Sequence, residues 1–306
     1  MFWYRHHEGH GNFGDELNPF IIERLSGKKV YYLDFNDFKL DSVTYIKTFT
    51  HRYLKRKISF ANYVRHIYYY FIVRPVVLVA IGSVLEHITY NKCIVWGAGI
   101  IETKSKIQNA DFRVVRGKYT QLRLKELGHK VPDVVGDPAI LLPLIYKPEW
   151  SKKFKLGVIP HHRHYNKMRS ISGEDMLVIN LLDPIEKIIN EICSCENTLS
   201  TSLHGIIVSH AYGIPSIWCT DHDKKLYGDD VKFRDYFSSV GLEEYKSIPS
   251  SLISTDLLEN LKLIESVPVS QRLPQTQQLA LTQISLLKAF PFVLNRKFED
   301  IQIKFS

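Results

Sequence analysis

Residues 199–215 run Leu199-Ser-Thr-Ser-Leu-His-Gly-Ile-Ile-Val-Ser-His-Ala-Tyr-Gly-Ile-Pro215. They spell a strand end, a tight turn, a helix and the approach to another strand. Ser200, Thr201 and Ser202 are cap-type residues, and Leu203, Ile206, Ile207 and Ala211 then fall on one apolar stripe at helical spacing. Gly213 stops the helix and Pro215 follows it. Ser202 and His204 therefore sit where a helix presents unpaired N–H groups and positive dipole, a seat for an anion.

The flanking sequence repeats this alternation. Leu156–Ile159 reads as a strand running into Pro160-His161-His162-Arg163-His164, Met176–Asn180 as a strand, and Pro184–Cys195 as a helix with proline at its start. Ser216–Cys219 is a further strand, followed by helical patterns near 232–240, 257–266 and 275–289. Upstream, apolar runs at 76–81, 93–96, 114–115 and 133–135 each end in a glycine turn, and 120–128 reads as a helix. The expectation is an α/β fold with parallel sheets whose carboxyl edges carry small-residue loops, where ligands bind. Between Tyr146 and Lys155 the texture turns polar and carries a proline, so the boundary is placed there: a first unit over 1–150 and a second over 151–306.

The N-terminus predicts strand, glycine turn, helix and strand. Residues 2–7 form the opening strand. Leu17, Phe20, Ile21, Ile22 and Leu25 line the helix up to Ser26-Gly27, and Lys28–Leu33 is the second strand. Gly9, Gly11 and Gly14 match G-x-G-x-x-G, with Asp34 twenty residues beyond Gly14. Two readings stay open: a dinucleotide fingerprint, or a tight turn capped by Asn12 whose acidic Asp15 and Glu16 would repel a pyrophosphate.

The 306 residues, 45% hydrophobic and 24% charged, are ordinary for a globular chain, and the net charge of +8 favours an anionic partner. The four cysteines, Cys93, Cys193, Cys195 and Cys219, have no metal-ligand spacing, and no carboxylate pattern completes a site with the histidines, so no metal is expected. Neither a signal-peptide core nor an unbroken apolar span appears, because Arg74-Pro75 and Gly82 interrupt 67–85; the expected location is the cytoplasm. Residues 51–74 interleave His51, Arg52, Lys55, Arg56, Lys57, Arg65 and Arg74 with aromatics. They read either as a solvated helical face with its aromatics turned inward or as a peripheral contact with anionic lipid at the inner face of the membrane. No RNA-binding signature accompanies them, and no nucleic acid is expected.

Asn12-Phe-Gly-Asp15, Gly97-Ala-Gly99, Arg116-Gly117 with Thr120, Gly136-Asp137-Pro138, and Ser202-Leu-His204-Gly205 followed by Ala211-Tyr-Gly213-Ile-Pro215 together resemble, in order, the polysaccharide pyruvyltransferase family. The resemblance implies a GT-B-like pair of Rossmann-like domains facing a cleft. It also implies phosphoenolpyruvate as donor substrate with no separate cofactor, and a saccharide acceptor, free or lipid-linked, that leaves as a pyruvate ketal. Such chemistry needs an acid at C3 of the enol, a base at the acceptor hydroxyls, and cations or N–H groups for phosphate and carboxylate. His204 is the candidate acid/base and Asp15 the candidate base for an acceptor hydroxyl. Ser202, Arg116, His161, His162 and Arg163 are the candidate anion ligands, with Asn12 and Gly205 completing the substrate-binding set. Asp137 reads as a turn-former and His210 as structural. A GT-B glycosyltransferase using a nucleotide-sugar, and a non-catalytic binder of anionic surfaces or nucleic acid, are the competing readings.

Overall fold

The computed structural model describes residues 1–5, 11–35, 37, 40–73, 75–90, 92–149, 151–221 and 227–298. Its first half contains α1 (Phe13–Ser26), α2 (Ser42–Leu54), α3 (Phe60–Tyr68) continued by a π-helical turn at Tyr69–Val73, β1 (Val77–Val79), β2 (Cys93–Trp96), β3 (Asp111–Val115), α4 (Lys118–Glu126), β4 (Val134–Val135) and α5 (Leu142–Ile145). The second half contains β5 (Phe154–Ile159), α6 (Tyr165–Met168), β6 (Met176–Val178), α7 (Ile185–Cys193), β7 (Cys195–Ser200), α8 (Leu203–Ala211), β8 (Ser216–Thr220), α9 (Val231–Val240), β9 (Ile248–Pro249), α10 (Leu257–Glu265), α11 (Val269–Arg272) and α12 (Thr276–Lys288).

Two parallel sheets result, ordered β1-β2-β3-β4 and β6-β5-β7-β8-β9. The near-continuous apolar runs of β1, β2 and β5 are what strands covered on both faces require. In the second sheet the chain leaves β5 toward β6 and returns to the other side as β7. The order therefore reverses between β5 and β7, and the loops after these two strands diverge over a crevice. Those loops carry His161 to His164 and Thr201 to His204.

One core cluster runs through both halves, taking in Leu17 and Ile21 of α1, Trp96, Leu141, Ile188, Ile206, Phe237 and Leu286. Helix α12 binds back to the first half: the Trp96 indole donates to Leu286 O at 3.0 Å and Gln283 Nε2 donates to Ile140 O at 2.7 Å.

The N-terminal unit departs from expectation. Helix α1 is present, but the flanking segments are not ladder strands. Phe2 makes one isolated parallel bridge to Val79, its N–H donating to Leu78 O at 2.9 Å. Residues 28–33 are held only at points, as where Leu33 N–H donates to Met1 O at 2.9 Å. Met1 and Phe2 thus lie between β1 and the 31–33 segment, with one bond toward β1 and two toward 31–33, the second from the Met1 amino group to Tyr31 O at 2.8 Å, too few in succession for a strand. The expected strand's residues 6 and 7, and Gly9 of the glycine pattern, lie outside the described residues.

Candidate functional site

Helix α1 begins in a local hydrogen-bond lock. Asn12 caps it by accepting from Asp15 N–H at 3.3 Å, and its Nδ2 donates to Asp15 Oδ2 at 2.5 Å. Asn18, fully buried one turn on, donates to Ile81 O at 3.1 Å and accepts from Ile81 N–H at 2.8 Å. The helix start is thereby pinned beside the loop that follows β1.

Helix α8 is seated by its three cap-type residues, and each does something different. Ser200 Oγ accepts from Ser202 N–H at 3.0 Å. Thr201 Oγ1 accepts from His161 N–H at 2.8 Å and lies 3.2 Å from His164 Nδ1, fixing the loop after β5 to the head of α8. Ser202 is the N-cap by position, yet its hydroxyl caps nothing. It lines, with the unpaired N–H groups of the first helical turn nearby, a cavity of about 540 Å³.

That cavity brings together Asn12, Asp15, Ser202 and His204, with His161, His162 and Arg163 on its second-sheet side. Burial, with the Arg116 and Lys232 charges nearby, pushes His204 down to about 3, so the imidazole is neutral at physiological pH. Its Nε2 lies 3.8 Å from Asp137 Oδ2, and both atoms are buried with no hydrogen-bond partner among the described residues. On the other side the ring abuts Gly14, where a methyl group would lie 2.0 Å from Nδ1. The third glycine of the N-terminal pattern thus makes room for an imidazole.

Asp15 carries a proton at neutral pH. Burial, then the neighbouring Glu16 charge, raises it to about 8. The resting carboxyl is therefore an acid, the reverse of the base role expected from the sequence. His161, expected as an anion ligand, would act as an N–H donor and not as a charge. Burial first, then the neighbouring His162 and Lys232, lower it to about 2, so it offers a neutral ring rather than a cation. Its Nδ1 accepts from Arg163 N–H at 3.4 Å, which puts the ring proton on Nε2.

A family model described as polysaccharide pyruvyl transferase matches residues 12–223. The chain belongs to the polysaccharide pyruvyl transferase family. It is 32% identical over 190 residues to an uncharacterized protein of Acanthamoeba polyphaga mimivirus, an overlap of 59% of this chain and 66% of the relative, slightly under two thirds of the relative's length. No solved structure matches.

Two residues of this pyruvyl transferase family member do not reach the cavity as the sequence suggested. Arg116 is fully buried. It donates to Asp235 Oδ2 at 3.0 Å, to Ser83 Oγ at 2.6 Å and to Ile100 O at 2.6 Å. Asp235 also accepts from the Thr120 hydroxyl at 2.7 Å and the Thr120 N–H at 2.9 Å. With each of its three nitrogens donating into the wall behind the cavity, the guanidinium braces that wall and bears on His204 through its charge. Gly205 faces inward, where a methyl group would sit 2.5 Å from Ser200 Oγ and 2.8 Å from Ile159 Cγ2. It permits close packing of α8 on the sheet, and it is not among the residues that line the cavity.

Two groups escaped the sequence reading, Asp137 behind His204 and Lys232 in the cavity wall. Asp137 uses one oxygen for the expected turn, accepting from Ala139 N–H at 3.0 Å, and turns the other toward His204. Burial raises it to about 6, against the opposing pull of that hydrogen bond and of Arg116. Lys232, in the first turn of α9, lines the cavity; burial lowers it to about 8, leaving an ammonium at neutral pH. It lies beyond the residues the family model matches. Among the described residues no group of three or more His, Cys, Asp or Glu is placed to hold a metal ion.

Proposed function

We propose that this protein transfers a pyruvyl group from phosphoenolpyruvate to a saccharide, free or lipid-linked, and closes it as a ketal across two hydroxyls. The observation that carries this reading is one cavity holding both a neutral imidazole backed by a buried carboxylate and a protonated carboxyl, beside cations. Residues 1–150 and 151–306 would act as two GT-B-like walls, with the acceptor on the first and phosphoenolpyruvate on the second.

Lys232, Arg163, the Ser202 hydroxyl and the N–H groups heading α8 bind the phosphate and carboxylate of the donor. Asp15 delivers its proton to C3, which becomes a methyl group, and C2 gains positive character. An acceptor hydroxyl attacks C2 and passes its proton to His204 Nδ1. Asp137 stabilises the imidazolium and holds the ring in place. The C2–O bond to phosphate then breaks, and the second hydroxyl adds to C2. Of the two hydroxyl protons, one restores Asp15 and the other departs with phosphate, so the ketal and hydrogen phosphate balance the donor and the diol.

The test is incubation of the full chain with phosphoenolpyruvate and a panel of free and lipid-linked saccharides, following phosphate release and the mass of the product. Phosphate release coupled to a ketal-bearing saccharide is expected. No release with any acceptor, together with turnover of a nucleotide-sugar, overturns the reading in favour of glycosyl transfer.

A further inference from the structure

Helices α2 and α3 form a hairpin whose two faces are chemically separate. The inward face packs on itself: Tyr45 stacks on Tyr70 with centroids 3.8 Å apart, Phe49 stacks on His66 at 4.2 Å, and Tyr53 stacks on Tyr63 at 5.4 Å. The outward face does the opposite. No residue of α3 or of the π-helical turn after it is buried. Phe60, Val64, Tyr68, Phe71 and Ile72, at three- and four-residue spacing, form an exposed apolar stripe, with Phe60 63% and Ile72 71% exposed. Leu54, at the end of α2, adds a side chain 72% exposed. An ordinary solvated helix does not spend a continuous stripe of large apolar side chains on water.

The charge on this hairpin is of one sign. Residues 42–73 contain Lys47, Arg52, Lys55, Arg56, Lys57 and Arg65 and no aspartate or glutamate. Arg52 is spent on Asp37 at 3.6 Å, and Arg65 lies over the Tyr31 ring at 3.7 Å. Lys55, Arg56 and Lys57 are exposed at the turn joining the helices, next to Leu54 and the start of the stripe. A second copy of this chain laid turn against turn on this face would oppose two basic loops, and nothing on the hairpin supplies acidic groups to meet them. The required occupant is apolar beneath an anionic skin.

We propose that the α2–α3 hairpin is a peripheral membrane-docking element, which seats its apolar stripe among the headgroups of an anionic phospholipid bilayer with Lys55, Arg56 and Lys57 against lipid phosphates. Among the described residues no helix is long and apolar enough to cross a membrane, so the contact lies in the interface plane. This goes beyond the transferase reading and does not depend on it.

The experiment is flotation of the full chain with vesicles of phosphatidylcholine alone or mixed with phosphatidylglycerol. Binding to the mixed vesicles, weak binding to neutral ones, and release near about 1 M salt, where the Debye length falls to about 3 Å, are expected. The combined K55Q, R56N and K57Q variant should bind about 100-fold more weakly, at about fivefold per cation. The combined F60S, V64S and I72S variant should lose binding at every salt concentration. All six positions are exposed, so circular dichroism should show an unchanged fold. The proposal is overturned if the parent chain stays unbound with phosphatidylglycerol vesicles at low salt, or if both variants float like the parent. It also fails if the face mediates self-association or capture of an acidic protein while ignoring lipid.

Discussion

Replacing Asp137 by asparagine isolates the carboxylate that faces His204. Asparagine keeps an oxygen for the Ala139 N–H, so the turn that Asp137 caps at 3.0 Å survives. What disappears is the negative charge 3.8 Å from His204 Nε2. At an effective dielectric of about 20, a unit pair at that distance interacts by ~4 kcal/mol. His204 is neutral at rest, so nearly all of that interaction arises only when the ring takes a proton in the transition state. The amide would also donate to Nε2 and move the ring proton to Nδ1, the nitrogen assigned as base. A loss of about 10²- to 10³-fold in kcat, with little change in KM for phosphoenolpyruvate, follows at 1.36 kcal/mol per decade.

Stability should move the other way. The folded Asp137 titrates near 6, above the ordinary 3.8, because burial disfavours its charge. The folded state therefore holds a proton that the unfolded state has given up. The contribution is intact below about pH 4 and is lost as pH rises through 6. At pH 7 the ionised buried carboxylate is a net cost of about 3 kcal/mol, which the amide removes. A variant slower by two to three decades yet equally or more resistant to urea is the expected pair of results. Activity within about threefold of the parent would refute the dyad, and a large loss of stability would make Asp137 a structural residue.

Three further outcomes follow from the same cavity. Asp15 must be protonated to act as the acid, so kcat should fall as pH rises through about 8, and Asp15→Asn should lose about 10²- to 10⁴-fold in kcat and with it that limb of the profile. Lys232→Gln should raise KM for phosphoenolpyruvate by roughly 10- to 100-fold, the worth of a charged hydrogen bond, with kcat less affected; a KM unchanged from the parent removes it from the donor site. Gly14→Ala places a methyl group 2.0 Å from His204 Nδ1, so it should abolish turnover and destabilise the fold by about 1–3 kcal/mol in thermal unfolding.

Much of the scaffold was legible because it rests on local signals. The apolar runs ending in glycine turns became β1 to β4 in parallel order, and the capped helix read at 203–211 is α8. The N-terminal strands were misread because β-propensity in a run such as Val30 to Leu33 says nothing of whether a neighbour supplies consecutive bonds. The site was legible where a loop leaves a strand: Ser202, His204, His161, His162 and Arg163 all line the cavity, as do Asn12 and Asp15. It was not legible where charge depends on depth. Nothing in the sequence distinguishes the half-buried His161 and the buried Asp15, both neutral, from exposed relatives that would be charged. Lys232 escaped because only the packing of α9 on α4 and α8 brings it across the chain to the cavity. Arg116 follows a strand as an anion ligand would, and only its burial against Asp235 shows it to be a brace.

The short glycine motifs divide the same way, and most of them serve the geometry of the candidate site at one remove. Gly99 lies under the Arg116 guanidinium, where a methyl group would fall 2.5 Å from Cζ, and Gly117 lies against Asp235 O, where one would fall at 1.7 Å. Both glycines exist to let the Arg116–Asp235 brace close. Gly97, held at φ +104, backs onto the Pro138 ring, where a methyl group would come within 2.2 Å of Cδ. Pro138 follows Asp137 directly, so the carboxylate's position before His204 is set by how closely β2 can approach that ring. Gly14 performs the matching service on the opposite side of the imidazole. The ring of His204 is thus confined between two backbone approaches that only glycine permits, one direct and one relayed through a proline. A neutral imidazole 3.8 Å from a buried carboxylate is a poor arrangement for stability, since neither Nε2 nor Oδ2 finds a full hydrogen bond at rest. Close packing from both sides is what maintains it.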